Sequence, residues 1–285
     1  MPKVGIIYDR MRSEEKMLKQ ATIDLGCDVS LVDAKDVSFN TDSKSDSYDL
    51  GDIILERCVS YFRGLHFTSM LNFMNLPVIN DFRTAQNCGN KMFMTLMLKK
   101  ANIPTPKTYF SFTGDTASKL ISEVGFPLVL KPVVGSWGRG IVLLNDIDAV
   151  DAVFEMRELV DGVYDRIFYL QEFIKRPPRD IRVITINHTP ITAMYRESSE
   201  GFKTNLAIGA EPKLCQITPE IEEIASKASE AMGGGILGVD IMEDEKRGLL
   251  VHEVNNTTEF KGLAKVSPVN IPQKMIQYAL DYLKR

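Results

Sequence analysis

Short β-branched runs alternate with helix-length segments through the first eighty residues, and this alternation constrains the fold more than any other feature of the chain. Val4–Tyr8 is the first run. A charged segment with apolar positions Met11, Leu18 and Ile23 follows and stops at Gly26, the order strand, helix, glycine cap. Val29–Val32, Ile53–Leu55 and Pro77–Ile79 read as further strands, with a helix over Tyr61–Asn75 between the last two. Such an order predicts a parallel sheet with covering helices. Ser38–Asp49, rich in Ser and Asp, reads as a solvated loop. The domain is expected to end near Arg83–Asn87, giving a unit of about residues 1–85.

The pattern then changes. A Met- and Leu-rich helix over Lys91–Lys100 runs into Asn102-Ile103-Pro104-Thr105-Pro106, where two prolines force extended chain and mark a hinge or linker. Leu128–Leu130, Ile141–Leu144, Ile167–Ile174, Ile181–Ile186 and Ile191–Tyr195 read as strands, most joined by short loops, so this part is expected to be mainly antiparallel. Helices are expected at about Asp115–Val124, Asp146–Val160 and Pro219–Met232. Ile236–Met242 and Leu249–Val254 form a final pair around a charged turn, before a closing helix at about Val269–Lys284. The fold class is therefore α/β followed by α+β.

Composition narrows the function classes. At 285 residues, 44% hydrophobic and 25% charged, the chain can bury about two cores and is not a disordered segment. No apolar run approaches the roughly 20 residues needed to cross a bilayer. A net charge of −4 weighs against general nucleic-acid binding. The first residues reach Asp9 and Arg10 after a short apolar strand, so no export signal is expected and a cytoplasmic protein is. Cys27, Cys58, Cys88 and Cys215 are spaced too widely for a zinc or redox motif.

Three clusters carry chemistry. Gly135-Ser136-Trp137-Gly138-Arg139-Gly140 lies between two strands with Lys131 upstream; backbone N–H groups in a glycine loop can approach a phosphate without Cβ obstruction. A wide hairpin reads equally well from the loop alone. Asp240 lies on one strand of the final hairpin, Glu253 and Asn255 on the other, so three oxygen donors can share one sheet face. A hard cation such as Mg²⁺ would neutralise them; the bland alternative is a solvated face. Gln171-Glu172-Phe173-Ile174 is a strand entering the stiff Lys175-Arg176-Pro177-Pro178 bend, a segment able to show backbone groups to a purine edge. Asp180 and Arg182 alternate with Ile181 and Val183, and together with Arg196, Lys203, Lys91, Lys131 and Arg139 the cations make a possible phosphate clamp.

Taken in order, Lys91, Lys131, the glycine loop, Gln171–Ile174, Asp180-Ile181-Arg182, Thr204-Asn205, Asp240 and Glu253-Val254-Asn255 resemble the ATP-grasp fold, and within it the RimK-like ligases. The resemblance spans about the whole chain. Asn255-Asn256-Thr257-Thr258-Glu259-Phe260-Lys261 is most similar to the LysX and ArgX branch. Those ligases attach α-aminoadipate or glutamate to the C-terminal glutamate of the acidic amino-group carrier protein LysW, in lysine and arginine biosynthesis. The resemblance implies a parallel-sheet pre-ATP-grasp domain (1–85), then an ATP-grasp domain (86–285) with a lid subdomain at about 105–173 and a metal and substrate subdomain at 174–285. It implies ATP and Mg²⁺, with two ions, as cofactors. Lys91, Lys131 and the loop Gly135–Gly140 would contact ATP, and Glu172, Phe173 and Ile174 would hold adenine, with Asp180 beside the nucleotide. Asp240, Glu253 and Asn255 would bind Mg²⁺. Arg182, Arg196 and Asn205 would face the transferred phosphate and the substrates.

Where lysine-branch members typically carry an arginine in Thr-Asn-Thr-Ala-Arg-Gly-Gly, this chain has Ile208. Loss of that cation changes how a distal carboxylate would be held, which favours glutamate as the amino acid; α-aminoadipate, use of both, another acceptor, and a non-catalytic ATP-binding scaffold stay open. Lys175, Arg176, Arg179, Arg196 and Lys203 are expected to line a mouth that steers the acidic carrier. The resemblance also implies a homo-oligomer, a dimer or tetramer. His66, His188 and His252 read as structural or surface residues.

Overall fold

The computed structural model describes residues 1–41, 48–135, 138–159, 162, 166–198 and 211–284. Its first sheet contains β1 (Lys3–Tyr8), β2 (Asp28–Asp33), β3 (Ile53–Glu56) and β4 (Val78–Ile79) in the order β2-β1-β3-β4, all parallel. Helices α1 (Ser13–Asp24) and α2 (Tyr61–Phe73) connect the strands. The chain leaves β1 for one edge and β3 for the other, so the order reverses between them; ligands of open α/β sheets bind beyond the carboxyl ends of strands at such a point.

Two helices follow, α3 (Phe82–Gly89) and α4 (Lys91–Lys100). The first was not expected: Asp81 accepts from the Thr84 N–H at 2.7 Å and starts a helix where the sequence reading placed only a domain boundary. Asn90 caps α4 by accepting from the Met92 N–H at 2.9 Å.

The second sheet contains β5 (Thr108–Ser111), β6 (Leu128–Lys131), β7 (Val142–Leu144) and β8 (Phe168–Glu172), antiparallel in the order β5-β8-β6-β7. Helices α5 (Gly114–Val124) and α6 (Ile147–Leu159) contribute Ile121 and Phe154 to a core shared with Leu128, Leu130 and Leu170. Edge strand β5 lies just past the segment read as a linker.

The third sheet is antiparallel in the order β11-β10-β9-β12-β13, built from β9 (Arg179–Ile186), β10 (Thr189–Glu197), β11 (Glu211–Cys215), β12 (Ile236–Asp244) and β13 (Gly248–Asn255). On one face Ile181, Val183, Val239 and Ile241 pack against α4 and α7 (Pro219–Met232). On the other, Ile184, Ile186, Met194 and Ile236 meet Phe260 and α9 (Ile271–Tyr282), which follows the short α8 (Leu263–Val266). Val4, Ile6, Ile53 and Leu55 of the first sheet join this same core, tying the N-terminal sheet to the C-terminal one. Each fully buried aliphatic side chain here stabilises by roughly 1.5–3 kcal/mol over its exposed state. The expected α/β then α+β order is the observed one. Among the described residues, no helix is long and apolar enough to cross a membrane.

Candidate active site

Strand register builds the site. Asp180 and Arg182 are two apart on β9 and share a face; Asp180 stands opposite Arg196 of β10, Arg182 opposite Asp240 of β12, and Asp240 opposite Glu253 of β13. Directly opposed residues point to the same side of a sheet. Five charged side chains from four strands therefore meet on the face whose other end is the apolar core. Arg182 clasps Asp240 through Nε to Oδ1 and through Nη2 to Oδ2, the latter at 2.7 Å. Arg196 clasps Asp180 with both bonds at 2.7 Å and lies 3.0 Å from Asp240 Oδ2. Gly238 makes room for this: a Cβ there would stand 2.2 Å from Thr258 Oγ1 and 3.3 Å from Arg182 Cδ.

Electrostatics follow from the burial. Desolvation would raise the Asp180 carboxyl, but the Arg196 guanidinium holds it below the usual carboxylate range. Burial opposes the charge on Arg196 too, and Asp180 with Asp240 more than restore it. Lys91, the first residue of α4, donates from Nζ to the Gly135 carbonyl at 2.7 Å and lies 3.1 Å from Glu253 Oε1. Burial works to raise the Glu253 carboxyl, and Lys91, with His252 and Lys131 behind it, brings it below the ordinary range.

These groups open on a cavity of about 270 Å³ lined by Lys91, Gly135, Arg182, Arg196, Glu253 and Asn255. Its facing wall comes from the loops after β1 and β3 and includes Arg12, Glu56, Ser60 and Tyr61, residues that sequence reasoning missed. Arg12 and Ser60 lie in loops, and Glu56 and Tyr61 are the last residue of β3 and the first of α2, so no periodic pattern singles them out. The available signal was their place after the two strands where the sheet order reverses. Arg12 is anchored on Glu15, with Nη2 to Oε1 at 2.7 Å. Glu56 accepts from the Cys58 N–H at 2.6 Å, and its burial pushes the carboxyl up.

The remaining predicted residues lie outside this lining. Lys131 is buried and donates to Gln171 Oε1 at 2.7 Å; burial pulls its ammonium down to about 8, with Glu253 opposing and Lys91 adding to the fall. At the end of β8, the Glu172 carboxylate accepts from the Lys107 N–H at 2.6 Å and Arg247 Nη1 at 2.7 Å. The Glu172 and Phe173 amides donate to the Lys107 and Pro127 carbonyls, so those two N–H groups do not face a purine edge. Ile174 is buried. Gly138 and Gly140 take left-handed φ values of 69° and 67° around an exposed Arg139. Ser136, Trp137, Lys203, Asn205 and Ile208 lie outside the described residues.

The basic mouth requires correction. Arg196 is 4% exposed and lies inside the cavity rather than at its rim, because its charge is held by two buried carboxylates. Arg179 is bonded to Glu243 at 2.7 and 2.9 Å and stacks over Tyr195, while Lys175 pairs with Glu245 at 3.2 Å. Compensated charges of this kind steer a partner weakly.

A hard cation needs several oxygen donors around it. Glu253 and Asn255 place hard oxygens on the cavity, and Asn255 Nδ2 is 3.5 Å from Asp240 Oδ2, so the three groups do converge. A carboxylate has about four acceptor positions, and Asp240 already meets Arg182 twice, Arg196 and Asn255. A cation would take the place of one of these contacts. Among the described residues, no three His, Cys, Asp or Glu side chains form a metal-holding group, so an ion here needs further ligands such as phosphate oxygens.

Comparison with known proteins agrees with this geometry. Residues 88–279 match the RimK-like ATP-grasp domain and residues 4–87 the LysX preATP-grasp domain. The α-aminoadipate–LysW ligase LysX of Saccharolobus solfataricus is 36% identical over 275 residues, covering 96% of this chain and 99% of that protein. The glutamate–LysW ligase ArgX of Sulfolobus acidocaldarius is 29% identical over 286 residues, covering 99% and 100%. A RimK domain ATP-grasp protein of Sphaerobacter thermophilus shares the fold with a TM-score of 0.80 at 23% identity, over 98% of this chain and 99% of that one. The chain thus belongs to the RimK-like ATP-grasp family of ligases, with a LysX-type preATP-grasp domain at its N-terminus.

Proposed function

We propose that the chain is a cytoplasmic, homo-oligomeric, ADP-forming ligase that joins the α-amino group of glutamate to the C-terminal glutamate of an acidic carrier protein of the LysW type. The observation that carries this reading is the cavity at which Lys91 of α4 and Arg182 and Arg196 of one sheet face meet Asp240 and Glu253, opposite residues that follow β1 and β3. A carboxylate needs activation before an amine can displace its oxygen. Its attack on the γ-phosphate of ATP breaks the bond to the β-phosphate, releasing ADP and giving an acyl phosphate, and attack by the amine then forms the amide and expels phosphate. Lys91, Arg182 and Arg196 would neutralise charge on the transferred group. Asp180 and Asp240 hold the two guanidiniums in position, so little reorganisation is needed.

Glu253 and Asn255, with Asp240 exchanging a guanidinium contact, would hold Mg²⁺, two ions in this reading; bound there, the metal would offset phosphate charge. Lys131 and the Gly135–Gly140 loop would contact the nucleotide, with Glu172, Phe173, Ile174 and Asp180 around its base and ribose. Asn205 is assigned to the substrates. Closure of the loop would exclude water from the acyl phosphate.

A second reading takes α-aminoadipate as the amino acid, favoured by the higher identity to the LysX relative, 36% against 29% for ArgX. The test is ADP release by the purified chain with carrier plus glutamate, carrier plus α-aminoadipate, or either amino acid alone, with the carrier's mass read in parallel. The primary reading expects release and added mass with glutamate. Release without a protein acceptor makes the chain a small-molecule ligase, and nucleotide binding without release makes it a scaffold.

A further inference from the structure

Glu56 ends β3, two residues after Ile54 and on the same face, the one that packs against Phe67 and Leu71 of α2. Gly64 of that helix leaves room for the carboxyl: a Cβ there would stand 2.8 Å from Glu56 Oε1. Oε1 accepts from the Cys58 N–H at 2.6 Å, and Oε2 lies 3.4 Å from the hydroxyl of Thr257, two residues past Asn255. The loop beyond β3 is pinned in turn by Asp9, which accepts from the Val59 and Ser60 N–H groups at 2.8 and 3.1 Å. Glu56 is 4% exposed and lines the cavity.

Its charge is unanswered. Among the described residues three carboxylates line the cavity, Glu56, Glu253 and Glu259. Glu253 meets Lys91 at 3.1 Å and Glu259 meets Arg12 at 3.5 Å. The guanidinium of the adjoining Arg57 goes instead to Glu15 at 3.2 Å and to the Thr258 carbonyl at 3.1 Å. Glu56 is left with an amide and a hydroxyl, both neutral. A buried carboxylate calls for a cation, and the cavity is where one can enter. ATP and the carrier's terminal carboxylate are anions; the cations of the proposed reaction are Mg²⁺ and the α-ammonium of the amino acid. Mg²⁺ demands an octahedron of oxygens, whereas an ammonium needs a few acceptors for its donors, and Glu56 Oε2 with the Thr257 hydroxyl offers them side by side. We infer that Glu56 is a substrate-binding residue whose carboxylate accepts a hydrogen bond from the α-ammonium of the incoming amino acid. The amino acid then lies along the wall made by β3 and α2, facing the acyl phosphate on the wall of Arg182 and Arg196. This rests on the reading of the cleft as a site of amide formation.

Activation of the carrier needs no amino acid, so the two halves of the reaction can be separated. Hydroxylamine, largely uncharged near neutral pH, attacks the acyl carbon and displaces phosphate, and the resulting hydroxamate is read in the carrier's mass. Glu56→Gln keeps the Cys58 bond and removes the charge. In this variant KM for the amino acid the native chain uses, glutamate or α-aminoadipate, is expected to rise roughly 10–100-fold, with hydroxamate formation and the half-maximal Mg²⁺ concentration retained. The 2-hydroxy analogue of that amino acid lacks the ammonium, so its inhibition constant should be the same in both proteins. Glu56→Asp, with the charge drawn back by one methylene, is expected to show the same split at smaller amplitude and serves where the amide variant does not fold. An unchanged KM overturns the inference. So does a raised Mg²⁺ requirement, which makes Glu56 a metal ligand, or an equal weakening of amino acid and analogue, which makes it structural. If the native chain forms neither hydroxamate nor ligated carrier, the amide-forming reading falls and takes the inference with it.

Discussion

The Lys91 ammonium spans the glycine loop and the C-terminal hairpin, donating to the Gly135 carbonyl at 2.7 Å and lying 3.1 Å from Glu253 Oε1. Loop position and carboxylate charge are thereby coupled through one side chain. Glu253→Gln keeps the shape of the side chain and removes its charge. ADP formation is expected to fall by roughly 10²–10³, with half-maximal Mg²⁺ concentration raised and thermal unfolding little changed. Native turnover in that variant would remove Glu253 from the metal assignment.

Arg182 and Asp240 form a bidentate pair with side chains 10% and 1% exposed. Removing one member of such a pair leaves a buried charge without compensation, at a cost of about 3–5 kcal/mol. Asp240→Asn leaves Arg182 without its carboxylate and removes one of two from Arg196, which keeps Asp180, while Arg182→Met leaves Asp240 with Arg196. The denaturant midpoint is therefore expected to fall further for Asp240→Asn. A double Arg182→Met, Asp240→Leu variant should recover part of the loss without recovering ADP formation. Strictly additive losses would show that the two side chains act independently.

What the sequence made legible and what it hid divide along strand register. Asp180 with Arg182, and Glu253 with Asn255, are two residues apart on one strand, so alternation alone put each pair on one face. That Arg182 would clasp Asp240 depends on the pairing of β9 with β12, segments 58 residues apart, which no local pattern encodes. The cations consequently looked like unspent phosphate ligands when most already hold carboxylates. Helix α3 escaped because Asp81 as a cap stood next to an expected domain end.

Lys131 gives the pH prediction. Its folded-state pKa is about 8, against 10.5 when solvated. Between these values the unfolded chain binds more protons, so stability rises with pH across that window; below about 8 the penalty, roughly 3 kcal/mol, is fully present. Lys131→Met removes the titrating group. At pH 7 the variant is expected to be the more stable protein, and its margin over the native chain should shrink as pH rises from 8 to 10.5. Nucleotide affinity should run the other way in the native chain, falling as Lys131 loses its proton above pH 8, and should be weak and flat in the variant. Denaturant midpoints and ADP calorimetry over pH 7–10.5 measure both; parallel stability curves would refute the assignment of a depressed Lys131.

Asn80 joins the N-terminal sheet to the C-terminal one. Its Nδ2 donates to the Ile236 and Asn256 carbonyls, each at 2.7 Å, and its Oδ1 accepts from the Ile236 N–H at 2.7 Å. Replacing Asn80 with Leu leaves a buried N–H and at least one carbonyl without partners, each costing about 1–3 kcal/mol. The same contact explains Gly235: its φ is 85°, and a Cβ would stand 2.0 Å from Asn80 Oδ1. Gly235→Ala should therefore destabilise through both strain and the displaced amide, and the losses of Asn80→Leu and Gly235→Ala should be less than additive in the double variant, since each breaks the same bonds. Because Asn256 directly follows Asn255 and Asn80 holds its carbonyl, both single variants are expected to raise the Mg²⁺ requirement of ADP formation as well. Unfolding midpoints and Mg²⁺ titrations of the three variants check this; additive losses with an unchanged Mg²⁺ requirement would separate the interdomain bond from the site.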